Sequence, residues 1–373
     1  MASIGDRKTS AVIFALYSNI ILFRRAQFCT GMETKRTDNL QLLSGRGHGV
    51  CQGDRFSIMP LKTLKDGTSD SDDGDLIGTV TQVGPLTSEI RLSGASKNVQ
   101  TGWVAKPLTS SNLSNFPFQI DPKLPCYNEL LEELRKRSLG KQVLIEEEPE
   151  DQAIRVTSRA DNEYKVVDRS LDNILYVPSI RRGEKEVKSV CITIEHLARF
   201  KMVKSLVNEL ATDAFRQSVQ VRIAVGKETF KPDEQIKARH KKPIEMIVTN
   251  TGTRDIYAHF YNLGPCGRVK NIFCGTFMQI SPEYEHIDPN EQRCTGVYRK
   301  KITMKVPPFL EDRGSCIDII KTFVTSKDTS FETLELSNFR ELEKQESGQR
   351  GSERPTEVME EWMAFNFYVR TSI

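Results

Sequence analysis

The sequence has few cysteines and histidines, and neither residue falls into a motif that carries chemistry. Eight cysteines and five histidines occur in 373 residues, with no CxxC pair, no HExxH or HxH arrangement and no GxSxG elbow. These absences argue against a zinc ribbon and a thioredoxin-like site, and they leave a Ser–His–Asp triad without support. The sequence predicts no metal and no cofactor. Without a convincing secretory signal, the cysteines are expected to be reduced and intracellular.

The sequence also lacks a strong charge of either sign. Its net charge is +3 and its pI is near 8.3, which is too mild for a dedicated nucleic-acid binder. Hydrophobic residues make up 38% and charged residues 28% of the chain, as in ordinary globular proteins. The length predicts about two to three domains. We therefore expect a globular cytoplasmic protein that binds no nucleic acid.

No apolar run is long enough to predict a membrane-spanning helix. The apolar N-terminal run, Ala11 to Phe23, is shorter than the ~20 residues such a helix needs, and Ser18 and Asn19 interrupt it. We interpret it as one or two buried strands or a poorly ordered start. A targeting or anchoring segment, or the cut edge of a longer protein, remain alternatives. Residues 1–40 therefore receive no firm assignment, and no membrane partner is expected.

The last third of the chain reads as a succession of strands. Val219, Val221, Ile223 and Val225 alternate with more polar residues, which is typical of a half-buried strand. Six or seven such segments, with turn signals between them, predict a β-sandwich over residues 213–373. The polar stretch near 342–356 is expected to be a disordered loop in that domain.

The first two thirds predict smaller units. Residues 41–106 combine short strands with Gly- and Asp-rich turns, which indicates a small barrel-like β domain. A linker and a helix at 126–138 fill residues 107–138. Short strands at 143–148, 153–159, 163–168 and 174–180, then a bridging helix capped by Thr193, fill residues 139–212. The fold class is thus mainly β with bridging helices (α+β), a small barrel followed by a C-terminal sandwich.

The helical spacing after Thr193 predicts which side chains of the bridging helix are buried. Leu197, Phe200, Val203, Leu206 and Leu210 recur on one face, which we expect to pack on the sandwich. The opposite face is expected to be in solvent, and it carries three cations: Arg199, Lys201 and Lys204.

Two segments invite a chemical interpretation, and we favour a structural one for each. SGRGHGVCQGD holds His48 only three residues from Cys51, whereas a Cys–His pair needs two separate elements; a Gly-rich turn that opens a barrel strand fits better. The acidic stretch from Asp70 to Asp75 lacks the Gly and Glu positions of a calcium loop. We expect a solvated loop there.

Two basic clusters are the candidate partner contacts. The first comprises Arg181, Arg182, Lys185 and Lys188, and the second occupies residues 237–242. Neither is interleaved with aromatic residues that could stack bases. A solvated loop face is the simpler interpretation, and an acidic protein partner is the functional one. The named candidates are Arg181, Arg182, Lys241 and Lys242.

Several segments, in order, carry a family resemblance. They are GHGVCQGDRFSIMPL (47–61), EHLARFKMVKSLVNE (195–209), DIYAHFYNLGP (255–265), DIIKTFVTSKDTSFETLEL (318–336) and EEWMAFNFYVRT (360–371). Together they resemble the C-terminal region of filamentous-fungal proteins that begin with a caspase-like, metacaspase-related peptidase domain. The family's catalytic His and Cys motifs are missing here, so no catalytic residue is carried over. The resemblance therefore implies that this chain corresponds to the accessory region alone, without the peptidase domain.

The sequence leaves two functional hypotheses. The first is a non-catalytic regulatory or recognition module that binds another protein. The second is a hydrolase with an unrecognised active site in the sandwich or the barrel cleft. The second would need a nucleophile, a base and an orienting group within hydrogen-bond reach.

Overall fold

The structure is a computed structural model, and it describes residues 21–25, 39–59, 76–93, 104–137, 139, 153–159, 162–183, 185–273, 277–282, 296–339 and 359–373. The fold is mainly β with bridging helices, as the sequence predicts. A closed barrel is followed by a four-stranded sheet with two helices and then by a two-sheet sandwich. No helix in these ranges is long and apolar enough to cross a membrane.

The barrel contains six strands in the order β1-β2-β5-β4-β3-β6. Buried apolar side chains, including Leu42, Phe56, Val80 and Ile90, fill its interior. Of the N-terminal apolar run, residues 11–20 lie outside the described residues, whereas residues 21–25 form the first strand. The strands are β1 (Ile21–Arg25), β2 (Asn39–Leu42), β3 (Arg55–Met59), β4 (Leu76–Val83), β5 (Ser88–Ser93) and β6 (Val104–Pro107).

The middle of the chain forms a four-stranded sheet and two helices. The sheet has the order β10-β9-β8-β7, and its inner face packs on the helices through Ile154, Val156, Tyr164 and Val166. The elements are β7 (Phe118–Ile120), α1 (Tyr127–Lys136), β8 (Ile154–Arg159), β9 (Glu163–Asp168), β10 (Ile180–Arg181) and α2 (Glu186–Ser205). The predicted strand at 143–148 lies outside the described residues.

The C-terminal part is a β-sandwich. One sheet has the order β12-β11-β14-β18, and the other has the order β13-β20-β19-β15-β16, with β17 paired to β15. The strands are β11 (Val219–Val225), β12 (Glu228–Phe230), β13 (Gln235–Arg239), β14 (Pro243–Asn250), β15 (Ile256–Leu263), β16 (Val269–Asn271), β17 (Met278–Ile280), β18 (Val297–Thr303), β19 (Ser315–Thr325) and β20 (Trp362–Ser372), and a short helix α3 (Asp213–Ser218) precedes them. The predicted disordered loop near 342–356 lies outside the described ranges.

The central strands β15 and β19 of the six-stranded sheet are buried on both faces. Phe260 and Val324 face the other sheet of the sandwich, whereas Tyr261 and Phe323 face α2 and the middle sheet. Strand β19 is accordingly buried at almost every position, including the polar Lys321 and Thr322, instead of on alternate residues. The alternation predicted for β11 is confirmed, since Val219, Val221 and Ile223 are buried and point into the sandwich core.

The predicted start and end of the bridging helix are wrong. Helix α2 begins at Glu186, and Thr193 lies inside it, where its hydroxyl donates to the Ser189 carbonyl at 2.8 Å. The helix ends at Ser205, so Leu210 lies beyond it and is 73% exposed. Apolar residues continue upstream of Thr193, at Val190 and Cys191 among others, and they extend the buried helix toward its N-terminus.

The solvent face predicted for this helix is also wrong in part. Lys201 is buried, and its ammonium donates to the Asp168 carboxylate at 2.5 Å. The helix lies between the middle sheet and the sandwich, so it buries more than one face. The fourth strand predicted at 174–180 is correct only at Ile180, because residues 174–179 form no strand.

Candidate functional site

The Gly-rich motif around His48 docks the barrel onto the sandwich. The Gly45 N–H donates to Nδ1 of His48 at 3.1 Å, so Nε2 carries the proton and donates to the Ser330 carbonyl at 3.0 Å. The imidazole stacks on Phe331, with ring centroids 4.6 Å apart. Burial lowers the pKa of His48 to about 4. This histidine is therefore a neutral contact between two domains.

The glycines of the motif permit close backbone approach. A Cβ atom on Gly45 would lie 2.5 Å from the Gly84 carbonyl oxygen, and one on Gly47 would lie 3.3 Å from the Trp362 indole. Beside them, the Glu360 carboxylate accepts the Leu86 and Thr87 N–H groups at 3.2 and 3.1 Å. The contacts of Gly47 with Trp362 and of Glu360 with Leu86 and Thr87 hold the barrel against β20. We call the Gly-rich motif at residues 45–49 the docking turn.

The other buried histidines also make structural contacts. The Nε2 atom of His196 lies 2.8 Å from the Gly267 carbonyl oxygen. The His259 ring packs edge-on against the Phe331 ring, with ring centroids 5.0 Å apart. Burial lowers the pKa of His196 to about 4 and the pKa of His259 to about 3. His240 accepts the Val306 N–H at 3.0 Å.

The cysteine thiols for which a shift is resolved are held in the protonated form. Burial raises the pKa of Cys51 and Cys126, and it raises the pKa of Cys191 and Cys316 to about 12. A nucleophilic cysteine has the opposite property, a lowered pKa. The described cysteines are free thiols. No group of three or more His, Cys, Asp or Glu that could hold a metal occurs in the described ranges, and the acidic stretch 70–75 lies outside them.

A polar cleft of about 450 Å³ opens between β9, the segment after it and the turn at Pro308–Arg313. We call it the basic cleft, because Arg159, Lys165 and Arg313 line it. Its volume lies within the ~300–1,000 Å³ of typical ligand sites. A smaller cavity of about 70 Å³ at the junction of barrel and α2 has room only for a few waters.

Charge in the basic cleft is not balanced. Arg159, Lys165 and Arg313 are exposed and form no ion pair with any residue that the structure describes. The Arg313 guanidinium lies over the Tyr176 ring, 5.0 Å from its centroid. Of the two carboxylates in the lining, Asp168 is neutralised by Lys201 at 2.5 Å. Within the lining, Asp172 then opposes three cations, and Glu163 lies opposite Arg159 on the neighbouring strand. The net charge of these groups is positive, so the cleft favours an anion.

The first pair of predicted contact residues lies beside this cleft. Arg181 and Arg159 both lie opposite Glu163 in the strand register, on the outward face of the middle sheet, and Arg181 is exposed. Arg182 is half-buried, donates to the Ser158 hydroxyl at 2.7 Å and stacks over the Tyr164 ring. Arg181 is therefore available to a partner, whereas Arg182 is engaged within the sheet.

The second pair lies at the end of β13. Lys241 and Lys242 are exposed, and Lys241 has a φ of 60°, a conformation that non-glycine residues adopt infrequently. Two backbone hydrogen bonds hold this turn. The Lys241 N–H donates to the Met304 carbonyl at 2.8 Å, and the Met304 N–H donates to the Lys242 carbonyl at 3.1 Å. These bonds fix the backbone of the turn that presents both lysines, neither of which lines the basic cleft.

Sequence reasoning missed the three cations of the basic cleft. They stand on β8, on β9 and on a distant turn, so no local cluster marks them. Arg159 and Lys165 do occupy outward positions of their strands, and that alternation is the available signal. Arg313 could not be associated with them before the fold was known.

Comparisons with known proteins assign no family to this chain. No protein-family model matches the chain, and no curated protein matches it. Among solved structures, it is similar to the ASH/PapD-like domain of human CEP192 (PapD-like domain 7), with 13% sequence identity and a TM-score of 0.19, over 44% of this chain and 92% of that domain.

Proposed function

We propose that this chain is a non-catalytic recognition module that binds an acidic segment of another protein, and that the segment enters the basic cleft. The observation that carries the proposal is the net positive charge of the cleft, where three lining cations face a single unpaired lining carboxylate. Arginine held over an aromatic ring keeps its N–H edge free for a carboxylate. Arg313 over Tyr176 has this arrangement.

A protein segment suits the cleft better than a small apolar ligand. The lining is mainly polar and charged, whereas pockets for small apolar molecules are lined by hydrophobic side chains. On the outward sheet face beside the cleft, Arg181 adds an exposed cation, with Glu163 between it and Arg159. A partner that reaches from the cleft to Arg181 would gain both contacts.

The resemblance to the accessory region of fungal caspase-like proteins agrees with this role. In those proteins the region accompanies a peptidase domain, and a recognition module would direct such an enzyme to its targets. We extend the proposal accordingly: the chain acts inside the cell as a regulatory or targeting part, with reduced cysteines.

Binding of a short acidic peptide tests the proposal. A fluorescein-labelled tri-glutamate peptide would be titrated with the full chain and followed by fluorescence anisotropy at low salt. We expect saturable binding that the double variant Arg159→Gln/Arg313→Gln weakens about tenfold, because two charge-assisted contacts are lost. The matched control is Lys305→Gln, an exposed lysine outside the cleft, which should bind like the parent protein.

Two results would overturn the proposal. One is binding that the double variant leaves unchanged. The other is cleavage of Arg- or Lys-type peptide substrates that Cys51→Ala abolishes, since this would make the protein a peptidase. Hydrogen exchange of residues 163–179 with and without the peptide would locate the site independently.

A further inference from the structure

Strand β13 is an edge strand with an unusual charge. It stands at the end of the six-stranded sheet and pairs with β20 alone among the described strands. Lys237 and Arg239 project from it, and the turn adds Lys241 and Lys242. We call these four residues, with Arg370 on β20, the basic edge. All five are exposed, and none forms an ion pair with a described residue.

Among the described strands, none pairs with the second side of the β13 backbone. In the parallel ladder with β20, the His240 N–H donates to the Ser372 carbonyl at 2.7 Å, so the even-numbered residues of β13 bond to β20. Gln235 and Lys237 therefore direct their N–H and C=O groups away from the sheet, whereas the Arg239 carbonyl already accepts the Lys242 N–H at 3.0 Å. An extended chain laid along β13 would meet these groups.

The charges of the basic edge match an extended acidic segment. Lys237 and Arg239 project from the same sheet face about 7 Å apart, the two-residue repeat of a strand. Carboxylates at alternate positions of an added strand have the same repeat. Arg370 pairs in register with Lys237, which places a further cation beside the same position.

Protection of an edge strand against aggregation is the simpler explanation for lysines there. It accounts for Lys237 but not for Arg370, which stands on an interior strand. Like charges in register on neighbouring strands destabilise a sheet, and Lys241 adopts a left-handed backbone at φ 60°. Such costs are found where function requires them.

We infer that the basic edge is a second binding site, which takes an extended segment with acidic side chains at alternate positions as an added strand on β13. Main-chain hydrogen bonds would supply affinity and the alternating cations would supply specificity. This site is separate from the basic cleft in the residues that form it.

The test uses a fluorescein-labelled peptide of alternating Glu and Val and the full chain, measured by fluorescence anisotropy. We expect the variant Lys237→Glu/Arg239→Glu to weaken binding at least about tenfold. A peptide N-methylated at alternate residues, which cannot pair on that side, should lose binding as well. The titrations are made in the background of the cleft variant Arg159→Gln/Arg313→Gln, which weakens the cleft site. Binding that remains in this background and depends on Lys237 and Arg239 belongs to the basic edge, so failure here and failure of the cleft proposal are distinguishable.

The inference is overturned by equal binding of the N-methylated peptide, since charge alone would then suffice, or by equal binding to the charge-reversed variant. Tighter binding of a single-stranded oligonucleotide or of phosphatidylserine vesicles than of the peptide would also overturn it. Thermal melts of each variant exclude unfolding as the cause of a loss.

Discussion

The Lys321 ammonium donates to the Leu206 carbonyl oxygen at 2.8 Å, in the interior of the protein. It also donates to the Lys204 carbonyl at 3.0 Å and to the Asn366 side-chain oxygen at 3.2 Å. The three acceptors match the three N–H groups of an ammonium, and two of them are carbonyls at the C-terminal end of α2, where a positive charge is favourable. Burial lowers the pKa of Lys321 to about 7. The sandwich therefore fixes the end of the bridging helix through this lysine.

Replacing Lys321 tests that contact. Lys321→Met keeps much of the side-chain volume but removes the donor to the Leu206 carbonyl and to the Asn366 side-chain oxygen, while the Lys204 carbonyl keeps the Asn366 amide N–H at 3.2 Å. We expect unfolding free energy to fall by about 2–5 kcal/mol, since each buried polar group left unpaired costs about 1–3 kcal/mol. Urea denaturation measures the change. Lys305→Met, on an exposed side chain, should stay within about 0.5 kcal/mol of the parent protein, and an equal loss in both variants would refute the role of Lys321.

The buried face of α2 gives a second prediction. Phe200 is fully buried, whereas Leu210 is exposed. Phe200→Ala should cost about 3–5 kcal/mol through lost burial and a cavity, and Leu210→Ala should change stability by less than about 0.5 kcal/mol. Thermal and urea unfolding of the pair check this. An unchanged melting temperature for Phe200→Ala would mean that the helix does not pack on the sandwich.

Acid should destabilise the protein through its buried histidines. Burial lowers the pKa of His48 and His196 to about 4 and that of His259 to about 3, against 6.5 when unfolded. The unfolded chain thus binds more protons below pH 6.5. The stabilisation that depends on keeping these three histidines neutral is fully present above about pH 6.5, and it is lost as the pH falls toward 4. Urea midpoints from pH 7.5 to 4.5 should decline, and the decline should be smaller in His196→Gln.

Asp318 should act in the opposite sense. Burial raises its pKa from 3.8 to about 6, so the folded protein retains a proton that the unfolded chain releases. The stabilisation that comes from the protonated Asp318 is fully present below about pH 3.8, and it is lost as the pH rises through 6. At pH 8, Asp318→Asn should therefore raise unfolding free energy by about 1–3 kcal/mol. The gain should disappear near pH 4, and a pH-independent effect would contradict the explanation.

The docking turn gives a prediction about glycine. A methyl group on Gly45 would meet three backbone atoms within 3 Å, whereas one on Gly183 would meet nothing within 4 Å. Gly45→Ala should lower stability by more than about 1 kcal/mol, because the barrel turn at residues 84–87 must move away from the new methyl group, and Gly183→Ala should be neutral. Differential scanning calorimetry compares the two. Equal melting temperatures would mean that the close backbone approach at Gly45 does not require glycine.

The alternation of apolar and polar residues predicted strands correctly where only one face of the strand is buried. The positions of Val219, Val221 and Ile223 predicted β11 correctly, and the mainly β class followed from such segments. The same reasoning failed where an element is enclosed by several layers. Lys201 reads as a surface cation, yet it pairs with Asp168 in the core.

The sequence by itself determined the order of strands and turns, because side-chain alternation and turn residues act over a few neighbours. It also marked the basic segment at 237–242. Only the tertiary structure decided that α2 is enclosed, that Lys321 closes its end, and that Arg159, Lys165 and Arg313 share one cleft. The physical reason is that burial of a second face, and convergence of distant charges, depend on which layers pack together. No local pattern in the chain carries that information.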